Sequence, residues 1–473
     1  MQNLLQTPFS FIKTIHFTGI GGIGMSGIAE LFHKLNYHIQ GSDLKENGNV
    51  IHLRKLGINI KISQDSKNIK NADILVISSA VKEDNPEYIE ALRLGIPVYK
   101  RSQMLAEIMR FKWSVAVAGT HGKTTTTSLV SHILYANHLD PTAIIGGIVN
   151  SWGNNSRFGK SNWLVAESDE SDGSFVDLPA TMSIVTNIEA EHMDYYKTYA
   201  KLQEYFIRFI NNIPFFGFSI LCVDNEGVRD ILPFVKQRKI IKYGSSSQAD
   251  YRVTNIRNIE GGSMFDVTYN YQHKPKTVKD ITLPMYGYHN ILNALAAITF
   301  AHNIGVTFEV IKDALEHFKG IGRRFTNVGV FQNITFIDDY AHHPSEIEAV
   351  LTAANDIMGE GKILSVVQPH KYSRLSAHFD QFCRCFNKSD YIIVLDVFSA
   401  GEKEIKGVNS KALVQGIKDY GHKHVLYLQD VKQLTQTILD INAKDKLKLA
   451  IFMGAGSITN IVRETYTDLK NHE

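Results

Sequence analysis

Cysteine is scarce in this chain: Cys222, Cys383 and Cys385 are the only three among 473 residues. They are too few and too unevenly spaced for a zinc ribbon or a disulfide framework, which points to a reducing compartment, the cytoplasm. Long apolar runs are lacking as well. No segment is long enough to span a bilayer, and residues 1–12 carry no basic stretch ahead of their apolar ones, so no membrane insertion is expected. Charge of one sign is also missing: 50 basic residues against 48 acidic leave +2. That balance gives no global field for nucleic acid, so an anionic ligand has to be met by local charges. Low-complexity tracts and short-period repeats are not found. With 44% apolar and 21% charged residues, the composition is that of a folded globular protein.

What is present is a long alternation of strand and helix patterns. The length exceeds what one hydrophobic core serves and predicts three domains. Residues 1–109 read as a Rossmann-like unit, with strands at 15–18, 37–40, 74–78 and 96–99 and a helix over 25–35. Residues 110–322 read as a central domain with strands at 113–118, 163–166 and 182–186, an amphipathic helix over 199–210, a small antiparallel sheet within 251–283 and a helix over 290–301. Residues 323–473 repeat the alternation, with strands at 334–337, 363–367, 391–395, 425–428 and 449–453, and predict a second Rossmann-like, mostly parallel sheet. The fold class expected is α/β throughout.

The most informative stretch is Gly119-Thr120-His121-Gly122-Lys123-Thr124-Thr125, between a strand and a helix pattern. Such a turn aims backbone N–H groups and the positive helix end at an anion, Lys123 adds a point charge, and the Thr124 hydroxyl can ligate Mg²⁺. ATP is the expected occupant. The glycine that usually stands six residues before the lysine is replaced by Val117, so the loop is a variant of the common phosphate loop. Metal-holding groups should stand at the carboxyl ends of neighbouring strands. Glu167 ends one such strand, and His192 follows another within Glu191-His192-Met193-Asp194. Read alone, Glu167, Asp169, Glu170 and Asp172 fit a solvated acidic turn equally well, and His192 a core histidine.

Gly19-Ile20-Gly21-Gly22-Ile23-Gly24 satisfies the spacing of a diphosphate-binding turn, and Ser42-Asp43 ends the next strand, where a ribose-binding acid often sits. The glycines leave open whether a dinucleotide or a sugar nucleotide is held. Asp338-Asp339-Tyr340-Ala341-His342-His343-Pro344 is a titratable cluster at a strand end. Adjacent histidines without a third nearby ligand make poor zinc geometry. Gln368-Pro369-His370-Lys371-Tyr372-Ser373-Arg374 follows another strand, and its cations suit a small carboxylate.

Taken in order, these blocks resemble those of the Mur ligase family. The resemblance runs from about Gly19 to Ile458 and includes 21–27, 119–126, 191–194, Tyr288-His289-Asn290, Gly322-Arg323-Arg324-Phe325, 338–344, 368–374 and Gly454-Ala455-Gly456-Ser457-Ile458. It implies an N-terminal domain for a UDP moiety, a central P-loop-type ATPase domain, and a C-terminal domain that brings the amino acid and closes over ATP. It also implies the chemistry: ATP phosphorylates a carboxylate, and an amine captures the acyl phosphate as an amide. The partners implied are UDP-N-acetylmuramate, L-alanine and ATP, with Mg²⁺ and no nucleic acid; a homodimer is one assembly compatible with the sequence.

By position the resemblance assigns the transferred phosphoryl charge to Lys123 and metal to Thr124, Glu167 and His192. Asn290 and Asn293 correspond to adenine contacts, Arg323 to a phosphate-reaching cation, and Asp338 to the ATP ribose. His342, His370 and Arg374 surround the incoming alanine. Gly21, Gly22, Ile23, Gly24 and Met25 carry the UDP diphosphate, and the base that neutralises the amine is not identifiable. Four departures stand out. Lys371 replaces a usual arginine, which shifts the bet for the alanine carboxylate to Arg374. Phe398 replaces a tyrosine, and Ser168 and Gly173 stand where alanines are common. The stretch 199–210 offers only Lys201, so no carbamylated lysine is expected.

Overall fold

The computed structural model describes residues 12–471 except 79, 237, 272, 273 and 360. The N-terminal stretch in which no leader pattern is read therefore lies, apart from Ile12, outside the described residues. The chain packs as two compact units. The first holds Met1–Thr254, Asp266–Lys279 and Leu292–Phe318; the second holds Asn255–Phe265, Asp280–Ile291 and Lys319–Glu473.

One sheet lies in the first unit and a second lies mostly there, its residues 255–265 and 280–283 belonging to the second unit. The first sheet runs in the order Asn59–Lys61, His38–Ser42, Thr14–Thr18, Ile74–Ile77, Val98–Lys100, and all its pairings are parallel. The chain leaves the central strand to one side and returns on the other. The crevice at its carboxyl end is therefore a topological switch point, where ligands bind in open α/β sheets. A buried polar knot fastens this strand. Glu87, on the helix Pro86–Leu94, accepts hydrogen bonds from Thr18, Ser42 and Asn68 at 2.5, 2.6 and 2.7 Å and lies 3.2 Å from His16 Nε2. Burial alone would raise the Glu87 pKa, but these partners outweigh it and hold the carboxyl below its usual range.

The other sheet has ten strands, in the order Lys274–Leu283, Gly262–Tyr271, Tyr251–Ile259, Lys239–Gly244, Phe218–Cys222, Met182–Val185, Trp113–Ala118, Trp163–Glu167, Thr142–Val149, Asn154–Arg157. Trp113–Ala118 lies between parallel neighbours, paired with Met182–Val185 and Trp163–Glu167. Five of its six residues are buried, as expected for a strand covered on both faces. The helix Tyr199–Asn211 presents Leu202, Phe206, Phe209 and Ile210 to the core, and Phe175 packs on Phe206 and Phe209 with ring centroids 5.0 and 5.2 Å apart.

A hairpin, Thr142–Val149 with Asn154–Arg157, joins the two sheets' neighbourhoods. Its Asn155 side chain donates to the Ile23 carbonyl, its Asn154 amide donates to Glu30 at 3.2 Å, and Gly27 of the helix Ile23–Lys34 faces Ser156. On its facing strand the Gly146 N–H donates to Glu167 at 2.6 Å.

The second unit contains a six-stranded sheet in the order Thr326–Phe331, Ile334–Asp339, Leu447–Met453, Lys362–Val367, Tyr391–Val394, Val425–Tyr427, antiparallel only at its first edge. Alternate residues fill opposite faces: Ile337, Ile363, Val367 and Val394 on one, Phe336, Leu364, Val366 and Ile393 on the other.

The α/β expectation holds in all three sheets, and every strand expected from the sequence is present. Six further strands were not expected: Asn59–Lys61, Thr142–Val149, Asn154–Arg157, Phe218–Cys222, Lys239–Gly244 and Thr326–Phe331.

Candidate active site

The phosphate loop leaves the carboxyl end of Trp113–Ala118 and enters the helix Lys123–Ala136. Gly122 caps that helix at φ 81° and Gly119 turns at φ 134°; both values favour glycine. The cap offers no side chain, so first-turn N–H groups keep their anion-binding capacity. The loop is pinned from the next strand end. The His121 N–H donates to Asn187 Oδ1 at 2.7 Å, Thr186 Oγ1 donates to the His121 carbonyl at 2.6 Å, and the Glu189 N–H donates to Thr120 Oγ1 at 2.8 Å. The helix begins with a run of buried hydroxyls that one would expect to be costly. Thr127, Ser128 and Ser131 satisfy theirs on carbonyls four residues back, and Thr126 donates to Asn293 Oδ1 at 3.2 Å. Thr125 is buried among them.

Lys123 Nζ donates to the Gly119 and Thr120 carbonyls at 2.6 and 3.1 Å and to Glu170 at 2.9 Å. Burial pulls its pKa down, but the carboxylates of Glu170, Asp169 and Glu167 outweigh it and hold the ammonium above its usual range. Thr124 Oγ1 lies 3.1 and 3.0 Å from the two Glu167 oxygens. Thus Thr124 and Glu167 form one pair of hard oxygen donors. His192, in a left-handed backbone conformation at φ 56°, forms another cluster with Glu170 and Glu191, whose ligating atoms all lie within 4.8 Å of one another.

Glu170 is the residue the sequence reading undervalued. It is not part of a solvated turn: it is 2% exposed, and Lys123 Nζ lies 2.9 Å from Oε1 and 2.8 Å from Oε2. Burial pushes its carboxyl up to about 7 against the pull of Lys123. The Tyr196 hydroxyl donates to its backbone carbonyl. A buried carboxylate whose ligating oxygen lies within 4.8 Å of those of an imidazole and a second carboxylate fits a divalent cation. The signal available in sequence was the cluster of acids at 167, 169, 170 and 172 at a strand end; burial, which spacing does not report, singles out Glu170.

At the first sheet, the glycine turn caps the helix Ile23–Lys34 through Gly22. The Gly21 N–H donates to Asp43 at 2.8 Å, and the Asn49 and Asn47 amides donate to the Gly21 carbonyl at 2.9 and 3.2 Å. Gly21, Gly22, Ile23, Gly24 and Met25 line a cavity of about 730 Å³ together with Asp43 and the cations Lys82 and Arg101. The sequence reading found the glycines but not Lys82 or Arg101, which come from distant segments.

In the second unit, Asp338, His342, His370 and Arg374 lie at or just after the ends of adjacent strands, whereas Asn290 lies in the helix Tyr288–Asn303. Asp338 accepts from Thr459 at 3.1 Å, and burial raises its carboxyl. Arg323 donates to the Gly454 carbonyl at 2.7 Å and covers the Tyr340 ring at 4.6 Å. Asn290 donates to the Tyr286 carbonyl at 2.8 Å. His342 and His370 face each other with ring centroids 5.8 Å apart, and Arg374 Nη1 lies 3.3 Å from His370 Nδ1. His370 stacks on Phe398 at 5.6 Å and 9°, so the residue in the usual tyrosine's place keeps a ring contact. Burial, then His342, Arg374 and Lys371, push His370 down to about 4. Lys371 holds φ 69° as helix cap. Lys201 is exposed and ion-paired with Glu204 at 2.8 Å.

The three sequence profiles that match the chain tile these sheets: "Mur ligase family, catalytic domain" over 14–113, "Mur ligase middle domain" over 117–301, and "Mur ligase, glutamate ligase domain" over 323–456. The chain belongs to the Mur ligase family, with its three-domain α/β fold and its use of ATP. It is 51% identical to the UDP-N-acetylmuramate–L-alanine ligase of Rhodospirillum rubrum over 95% of this chain and 93% of that one. It is 48% identical to the enzyme of that name from Paramagnetospirillum magneticum, over 97% and 96%. Among solved structures it resembles the UDP-N-acetylmuramate-alanine ligase of Thermotoga maritima, with a TM-score of 0.81, 27% identity and coverage of 97% and 100%. A murein peptide ligase of Psychrobacter arcticus shares the fold at a TM-score of 0.71 and 24% identity, over 97% and 99%. Among the described residues no helix is long and apolar enough to cross a membrane.

Proposed function

We infer that this chain joins L-alanine to the carboxylate of UDP-N-acetylmuramate at the expense of ATP, in the cytoplasm, as a step of peptidoglycan precursor synthesis. The observation that carries the reading is the buried Lys123, held against the phosphate-loop carbonyls and Glu170, in a chain half identical over nearly its full length to alanine ligases. A carboxylate repels nucleophiles and has a poor leaving group; phosphorylation makes it electrophilic and supplies one. Lys123 and the first-turn N–H groups of the helix Lys123–Ala136 neutralise charge on the transferred phosphoryl group.

Thr124 with Glu167, and Glu170 with His192, would hold Mg²⁺, which draws charge from phosphate and carboxylate oxygens when bound. The glycine turn 21–24 with Arg101 would receive the UDP diphosphate. Arg374 would hold the alanine carboxylate. Residues 1–109 would bind the UDP moiety, 110–322 ATP and its metal, and 323–473 the amino acid while closing over ATP.

The test is phosphate release from ATP in the presence of UDP-N-acetylmuramate, Mg²⁺ and single amino acids. Release that depends on L-alanine is expected. Release with a peptide but not with L-alanine would move the chain to the peptide ligases, and hydride transfer from a nicotinamide cofactor instead would sink the reading.

A further inference from the structure

The reaction needs a neutral amine, while free L-alanine carries an ammonium. Something has to take that proton. Several titratable groups of the second unit lie near the candidate alanine pocket, and the hydrogen bonds assign one of them a base's tautomer.

His342 Nδ1 lies 2.9 Å from the Tyr340 carbonyl and 3.2 Å from Glu346 Oε2. Both neighbours are acceptors, so Nδ1 carries a hydrogen, and in neutral imidazole the lone pair then resides on Nε2. The Glu346 carboxylate is itself fixed, since the same oxygen accepts the His342 and His343 N–H groups at 3.0 and 3.3 Å at the start of the helix Pro344–Met358. A carboxylate behind an imidazole orients the ring and stabilises the imidazolium that forms when Nε2 takes a proton.

His370, the other histidine of the pocket, has the opposite assignment. Its Nδ1 faces the Arg374 guanidinium, which only donates, so the His370 lone pair is committed there and its Nε2 carries the hydrogen. His370 serves as a neutral donor, not as a base. The charged and titratable groups facing His342 among the described residues include Glu346 from the first turn of the helix that follows it, Tyr340 before it, His370, Lys371 and Arg374 from the segment after Lys362–Val367, and Arg324, 4.0 Å from Glu346.

We propose that His342, oriented by Tyr340 and Glu346, is the general base that accepts the proton of the alanine ammonium at Nε2. The nitrogen lone pair so freed forms the new N–C bond, the acyl C–O bond to phosphate breaks with its electron pair, and inorganic phosphate departs. The second proton of the attacking nitrogen leaves to that phosphate or to solvent. This inference rests on the ligase reading above.

Hydroxylamine separates the two. It is uncharged near neutral pH and needs no base, yet it captures an acyl phosphate as a hydroxamate. Wild-type enzyme with UDP-N-acetylmuramate, ATP and Mg²⁺ should give amide with alanine and hydroxamate with hydroxylamine. His342→Gln should lose about 10²- to 10⁴-fold in alanine-dependent kcat, retain hydroxamate formation within about threefold, and lose the acid limb of the pH profile for kcat/KM of alanine. Equal loss of both products in His342→Gln and in His342→Asn, or full alanine activity in either, overturns the inference. Absence of both products in wild type overturns the ligase reading instead.

Discussion

Replacing Gly122 by alanine tests how the phosphate loop is built. Gly122 holds φ 81°, and a Cβ added there would lie 2.4 Å from Asn293 Oδ1 and 3.2 Å from its Cγ. The left-handed backbone costs an L-residue roughly 1–2 kcal/mol. The collision adds a second cost, because Asn293 is the acceptor of the fully buried Thr126 hydroxyl. Pushing it aside strands that hydroxyl, at about 1–3 kcal/mol. Together they predict about 2–5 kcal/mol of lost stability and a raised KM for ATP. Equilibrium urea unfolding measures the first quantity and steady-state kinetics the second. Asn293→Ala in the Gly122→Ala background removes the collision but not the strain, so the pair should show a coupling of at least about 1 kcal/mol in a double-mutant cycle. A Gly122→Ala protein within about 0.5 kcal/mol of its parent, with ATP kinetics unchanged, would refute the reasoning.

Lys123→Ala should lower kcat by about two to three orders of magnitude, as removal of a preorganised charge donor does; normal turnover would contradict the role given to this ammonium. Arg374→Ala should raise the KM for alanine far more than that for ATP, and equal effects on the two would remove its assignment to the alanine carboxylate. His370 has a folded-state pKa near 4, below the ordinary histidine value. Its contribution is therefore present above about pH 6.5 and lost as pH falls toward 4. The shift corresponds to roughly 3 kcal/mol, about 1–2 after allowance for solvent screening of a partly exposed ring. Melting of wild type against His370→Gln between pH 7 and 4 should reveal this as a steeper slope in wild type.

The parallel strands were legible because each is a short apolar run set off by turn residues, and the helices between them keep a 3.6-residue period. The unexpected strands fail that test for identifiable reasons. Thr142–Val149 is interrupted by Gly146 and Gly147, and at Gly146 a Cβ would sit 2.7 Å from the Glu167 carboxylate, so closeness to the site erased the strand signal. Asn154–Arg157 is polar throughout, because its side chains bind the neighbouring helix and not a core. Thr326–Phe331 is an edge with a register shift at Gly329. The site was legible where one motif carries several groups, as in 119–125. It was not where partners arrive from distant segments: Arg101 at the glycine turn, Asn187 and Glu170 at the phosphate loop. Sequence order does not reveal which acid is buried or which carbonyl meets an imidazole.

The hairpin Thr142–Arg157 is tied to the first turn of the helix Ile23–Lys34 through Asn155 and to the Glu167 carboxylate through Gly146. The two ties come from facing positions of one hairpin, so a change in its backbone there is felt at Ile23 and at Glu167 together.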